Sequence, residues 1–185
     1  MFIYIDKYTL IQNLRNTTNS LVTFLSLCNF LISTLAIPFV AAAAMARNWI
    51  FGQIGCEFHG FIVTGLGLTQ IGILSVISLE RYFIIVRRSN RYTKKCYVLI
   101  VSSCVVYGFT CAIFPLFGWN SYSLEAGRLS CSIDWSQGTF NYISYCVFLL
   151  VVGLLVPLII IITAYTYIIR AIVFWFSWWY WFAAS

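Results

Sequence analysis

Charged residues divide this chain into long silent blocks. No Asp, Glu, Lys or Arg occurs from Asn16 to Ala46, from Phe58 to Leu79, from Cys96 to Leu124 or from Trp135 to Ile169. Crossing about 30 Å of hydrocarbon takes roughly 20 helical residues, and each block is long enough. A helix satisfies its own backbone hydrogen bonds, so it is the spanning element this pattern predicts. The alternation of barrel strands is absent. Spans are expected near residues 20–46, 55–86, 96–117 and 139–169, with an inner segment 1–19 and a long outer loop 118–138. Residues 172–185 read as a separate aromatic tail, too short to span alone and rich in indoles that favour an interface. The expected fold class is all-α, a transmembrane helical bundle.

Composition agrees and narrows the function classes. Only 9% of residues are charged, against about a quarter in soluble domains, so the lipid bilayer is the first partner. The net charge of +6 would suit nucleic acid only on a water-soluble fold with a basic face, and nucleic acid is not expected. Position carries more than sum. Lys7, Arg15, Arg81, Arg87, Arg88, Arg91, Lys94, Lys95 and Arg170 fall on one side of a four-span topology, and only Arg47 and Arg128 on the other. The positive-inside rule makes the Arg87–Lys95 loop cytoplasmic. A single His, with no nucleophile–base–acid set and no metal-binding cluster, argues against an enzyme or a metal site. Of seven cysteines, only Cys56 and Cys131 fall on the oxidising face, where they can bridge or remain two thiols.

Three features then come together. The second span ends in Leu79-Glu80-Arg81-Tyr82 at the cytoplasmic edge. It begins after Trp49-Ile50-Phe51-Gly52-Gln53-Ile54-Gly55-Cys56, and Pro157 precedes Tyr165 by eight residues in the fourth span. In this order they resemble the third and fifth helices of rhodopsin-like (class A) G-protein-coupled receptors. The outer loop from Gly118-Trp119 through Tyr122, Glu125 and Ser130-Cys131-Ser132-Ile133-Asp134-Trp135 is similar to that of opsins. The resemblance covers roughly Leu14 to Ile172. It makes the four spans the second to fifth of seven helices, an incomplete chain of opsin type.

The resemblance implies roles for residues. Cys56 and Cys131 match the family's disulfide pair. Glu80, Arg81 and Tyr82, with Tyr165, match the switch that couples to a heterotrimeric G protein, in which protonating the carboxylate releases the Arg. A snorkelling Arg anchoring the helix end is the plainer alternative. Thr64, Gly67 and Leu68 fall where the third helix lines a retinal pocket, with Ser130, Ser132 and Ile133 as its lid. Glu125 matches a loop counterion to the protonated Schiff base; His59 takes the other counterion position, or is simply a packing residue. Asn29 stands where the second helix usually has Asp and can hydrogen-bond a neighbouring helix. Tyr107 or Val105 stands where the fourth helix usually has Trp, and Pro157 is expected to kink its helix.

Retinal is the implied cofactor, yet Lys7, Lys94 and Lys95 are the only lysines and all flank the cytoplasmic side. By this reading residues 1–185 lack the first, sixth and seventh helices and the attachment lysine, and neither hold retinal covalently nor respond to light. The function expected of the full-length form is an opsin-like photoreceptor at the plasma membrane. A rhodopsin-like receptor for a diffusible ligand, or a non-signalling truncated product, remains open beside it.

Overall fold

The computed structural model describes residues 2–88 and 94–183, with side chains for 19–88 and 95–177. Arg91 of the basic loop lies outside the described residues, and so do the side chains of Lys7, Arg15, Lys94 and the tail beyond Ser177. Among the described residues, four helical rods are long and apolar enough to cross a membrane: Asn19–Ala46, Gly52–Ile85, Lys95–Phe117 and Phe140–Ser177. The bundle is the helical membrane architecture that the charge-free blocks predict.

The first rod is broken. Helix α1 (Phe2–Leu35) gives way at Ala36 to α2 (Ile37–Ala46). Pro38, at the start of α2, has no N–H to continue the ladder. Residues 1–19, read as an inner segment, therefore share one continuous helix with the first span from Phe2 onward. Arg47 closes α2 in the left-handed region, φ 55°, and its N–H returns to Ala44.

Helix α3 (Gly52–Ile85) is the axis of the bundle, packing against α1, α4 (Lys94–Ile113), both strands of the outer loop and α6 (Val156–Ala183). At 1.5 Å per residue its 34 residues span about 51 Å. Its closest approach is to α4, where Gly108 lies directly against the backbone of Gly65 and Thr69. Small residues permit such approach where lipid offers no hydrophobic drive for association. Leu21, Cys28, Leu66, Ile73, Val101 and Cys104 fill the core among α1, α3 and α4.

The outer loop holds the one departure from an all-α chain among the described residues. Strand β1 (Tyr122–Leu124) pairs antiparallel with β2 (Cys131–Ile133), with Tyr122 opposite Ile133 and Leu124 opposite Cys131. The fourth span is α5 (Phe140–Phe148), a π-helical segment over Leu149–Leu155, and α6 (Val156–Ala183). The irregularity expected at Pro157 thus appears as a π segment just before it. Residues 172–183 are not set apart: α6 continues without a break past Arg170 to Ala183. Ionic side chains mark a membrane edge, but helical hydrogen bonding does not stop there.

Candidate functional site

At the outer end, the hairpin is fastened to α3. Cys56, in the first turns of α3, is disulfide-bonded to Cys131, and Trp49 seats the preceding turn through Nε1–H to the Gly52 carbonyl at 2.9 Å. His59 follows one turn later on the buried face. Its Nδ1 lies 3.1 Å from the Cys131 carbonyl, and since a carbonyl only accepts, Nδ1 carries the proton. Its Nε2 is buried with no partner among the described residues. On β1, the Tyr122 ring lies against Gly60, where no side chain would fit. Its hydroxyl donates to the Ala112 carbonyl at 2.7 Å, which ties the strand to α4 as well. Burial pushes this hydroxyl up to about 12, with hydrogen bonding to Thr64 opposing the shift.

The loop after β2 is also fixed from within. The Asp134 carboxylate accepts from the Ser136 N–H and hydroxyl and from Gln137 Nε2, which holds it below the usual carboxylate range. Asn120, in the left-handed region with φ 78°, donates to the Asp134 carbonyl at 3.2 Å. Trp119 Nε1–H donates to Ser144 Oγ on α5 at 2.9 Å.

Beneath the hairpin, Leu68, Cys111, Tyr122, Ile133, Tyr145 and Leu149 form one apolar cluster. Of the residues read as pocket wall and lid, Leu68 and Ile133 share this cluster and Thr64 reaches Tyr122. A Cβ on Gly67 would meet no atom within 4 Å, so α3 presents open space there. Ser130 and Ser132 turn instead to Glu125. Both hydrogen-bond its carboxylate, Ser130 the more strongly, and together they hold it below the usual carboxylate range. Glu125, Ser132 and Ile133 border a cavity of about 260 Å³ that Asp134 and Trp135 complete.

The sign of the Glu125 shift gives a prediction. A carboxyl lowered by folding stabilises the hairpin above its unfolded pKa, and the contribution is lost as pH falls through the folded value. Ser130→Ala is expected to move the Glu125 titration upward, toward the ordinary range. Infrared titration of the carboxyl band, assigned by loss in Glu125→Gln, measures it. An unmoved midpoint would contradict the assigned hydrogen bond.

At the other end of α3, Glu80 is 2% exposed while its neighbour Arg81 is exposed. Tyr165 is 46% exposed, and the ring that meets Tyr82 is that of Tyr167, with centroids 5.7 Å apart. The Tyr165-Thr166-Tyr167 run carries two rings at this end, and only the packed helix distinguishes them. Past the end of α3, Arg88 lies 4.2 Å over the Trp175 ring. The aromatic segment after Arg170 therefore reaches, through Trp175, the end of α3 that carries Glu80, Arg81 and Tyr82. Midway between the two ends, Gln70 Nε2 donates to Asn29 Oδ1 at 3.0 Å, an amide-to-amide hydrogen bond between α3 and α1. Asn29 was read as bonding a neighbouring helix; Gln70 as its partner needed the packed structure.

A family profile described as "7 transmembrane receptor (rhodopsin family)" matches residues 8–175. The chain is 32% identical over 170 residues to melanopsin of Mus musculus, covering 89% of this chain and 33% of that protein. It is also 32% identical over 174 residues to a Gq-coupled rhodopsin of Mizuhopecten yessoensis, covering 92% of this chain and 34% of that one. Squid rhodopsin, a crystal structure, superposes with TM-score 0.80 at 25% identity over 84% of this chain and 46% of its own. The chain spans from a third to about a half of the length of the curated relatives it matches.

Proposed function

This chain belongs to the rhodopsin family of seven-transmembrane receptors, a multi-pass membrane protein, and we propose that it forms the chromophore-facing and G-protein-facing core of an opsin-type photoreceptor at the plasma membrane. The observation that carries the proposal is the hairpin at the outer end. It is bonded through Cys131 to Cys56 and lies over an apolar cluster that includes Leu68, Tyr145 and Leu149.

These residues fit retinal as wall and as counter-charge. Bound retinal supplies a light-absorbing polyene with a positive charge at its linked end. Thr64, Gly67, Leu68 and Ile133 would hold the apolar part, with Gly67 giving it room. The Glu125 carboxylate, kept ionised by Ser130 and Ser132, would face the charge. A buried cation needs such a partner because desolvation is costly. The chain's lysines sit near the start of α1 and the start of α4, so the attachment amine is not among the residues of this outer site.

At the inner end, buried Glu80 would restrain Arg81 until the carboxyl is protonated, after which Arg81 turns to a heterotrimeric G protein. Tyr82, Tyr165 and Tyr167 would form the aromatic edge against which it moves.

A graft tests the reading. Residues 14–172 replace the matching segment of melanopsin, so that the host supplies the remaining helices. The chimera is expressed with retinal and assayed for visible absorbance and light-dependent nucleotide exchange on G proteins. A pigment that drives exchange is expected. A chimera that folds, reaches the cell surface and binds no retinal would overturn the proposal. One that binds a diffusible ligand instead would favour the second receptor reading.

A further inference from the structure

The fourth span contains a backbone carbonyl that its own helix cannot satisfy. The span enters Leu149–Leu155 from α register, the Leu149 N–H meeting the Tyr145 and Cys146 carbonyls, and leaves it in π register, where the Val156 N–H reaches five residues back to the Val151 carbonyl. The next rung would run from residue 157 to the Val152 carbonyl. Residue 157 is proline and has no N–H. Val156, which would serve Val152 in α register, is already engaged with Val151. Val152 O is thus left without a main-chain donor inside an apolar span, where water does not substitute.

A side chain from another helix takes the rung. Tyr107, on α4, donates its hydroxyl to Val152 O at 2.8 Å. We infer that Tyr107 is the stand-in for the N–H that Pro157 lacks, and that it holds the π segment of the fourth span in register against α4. Register matters because a π segment carries one more residue per turn than the α ladder. Returning to α would rotate one side of the span relative to the other by about 100°, one residue's turn. The segment so held includes Leu149, in the cluster under the hairpin, and Gly153, whose missing Cβ leaves space for Leu68 Cδ2. Tyr107 therefore positions Leu149 and Gly153 through the backbone that carries them, while its ring packs against the same apolar cluster. The consequence for a ligand rests on the proposed function; the hydrogen-bond assignment does not.

A half-buried tyrosine that merely needs some acceptor would behave differently from a stand-in donor, and Pro157→Ala separates the two. Alanine at 157 returns an N–H to the ladder, and Val152 O then gains a backbone donor in π register from residue 157 or in α register from Val156. The 185-residue chain, its Tyr107→Phe and Pro157→Ala forms and the double variant are placed in lipid nanodiscs without ligand. Thermal unfolding and infrared spectra with [1-13C]valine are recorded for each. Tyr107→Phe is expected to lower the unfolding midpoint by several degrees and to move one valine carbonyl band to higher wavenumber. In the Pro157→Ala background the same substitution is expected to change neither. Equal effects in both backgrounds, or no valine band moving on Tyr107→Phe, would refute the inference. If Tyr107→Phe alone does not accumulate, recovery of folded protein in the double variant supports the assignment, and no recovery while Pro157→Ala itself folds overturns it. Because no ligand is used, failure here leaves the photoreceptor proposal standing, and a retinal-free graft leaves the Tyr107 assignment standing.

Discussion

Adding one methyl group at Gly108 is expected to destabilise the chain by about 2–3 kcal/mol, the upper range for overpacking a close contact. The same change at Gly67 is expected to leave stability unchanged or to raise it by up to about 0.5–1 kcal/mol. A Cβ on Gly108 would lie 2.5 Å from the Gly65 carbonyl oxygen and 2.8 Å from the Thr69 amide nitrogen. Both are backbone atoms of α3, so nothing can rotate out of the way, and relief requires moving α4 off α3. That interface is the most extensive between two helices in the bundle. At Gly67 a Cβ would meet nothing within 4 Å, and the change removes only the excess backbone freedom of glycine in the unfolded chain. Thermal or denaturant unfolding of Gly108→Ala and Gly67→Ala in matched lipid reads both signs. A Gly108→Ala chain as stable as the parent would mean that the α3–α4 approach is looser than described.

Gly65 and Gly108 illustrate what the sequence alone makes legible. Lipid constrains composition, so the spans expected at 55–86 and 96–117 closely match the rods Gly52–Ile85 and Lys95–Phe117. The bundle class followed from composition and helix length, and the receptor family from the Glu80-Arg81-Tyr82 edge and the Cys131 loop. That a glycine sits on an interface could be guessed; that Gly108 meets backbone and Gly67 meets nothing could not, because it depends on helix rotation and crossing. The fourth span was cut short at Arg170 for a related reason. A charge reports where lipid ends, whereas α6 is held by internal hydrogen bonds through Ala183.

The site shows the same division. Cys56 with Cys131, and Glu125 in its loop, could be named because topology puts both cysteines on one face and the outer loop resembles that of opsins. Contacts set by rotation could not. Tyr165 and Tyr167 lie two residues apart, about 200° around a helix, so which ring meets Tyr82 depends on how α6 turns about its axis. The π segment before Pro157 changes that turn, and no periodicity in Leu149–Leu155 signals it. The hairpin strands, three residues each, are too short for alternation to be read. Their pairing is imposed by tethers to Cys56, His59 and Ala112.

Those tethers are unequal, and the disulfide is expected to dominate. Cys56 and Cys131 are 75 residues apart in sequence, and a covalent loop of that length removes chain entropy worth about 4.5 kcal/mol when the unfolded state is a free coil. In a bilayer the unfolded state keeps its helices, so the effective loop is shorter and a loss of about 2–4 kcal/mol is expected for the Cys56→Ser, Cys131→Ser double variant. The loss should be selective. The hydrogen bonds from His59 to the Cys131 carbonyl and from Tyr122 to the Ala112 carbonyl remain geometrically possible, but each net contributes about 1 kcal/mol, too little to hold the hairpin alone. Hydrogen exchange is therefore expected to rise at Tyr122–Leu124 and Cys131–Ile133 while Leu66 and Ile73, in the α1–α3–α4 core, stay protected. In the parent chain, non-reducing mass mapping should return the Cys56–Cys131 peptide pair, and the free thiols Cys28, Cys104 and Cys111 should stay unmodified because they are buried. A double variant with unchanged hairpin exchange would show that hydrogen bonding and packing on Gly60 seat the hairpin without the bridge. Loss of protection throughout the helices would show that the hairpin is a condition for the bundle itself.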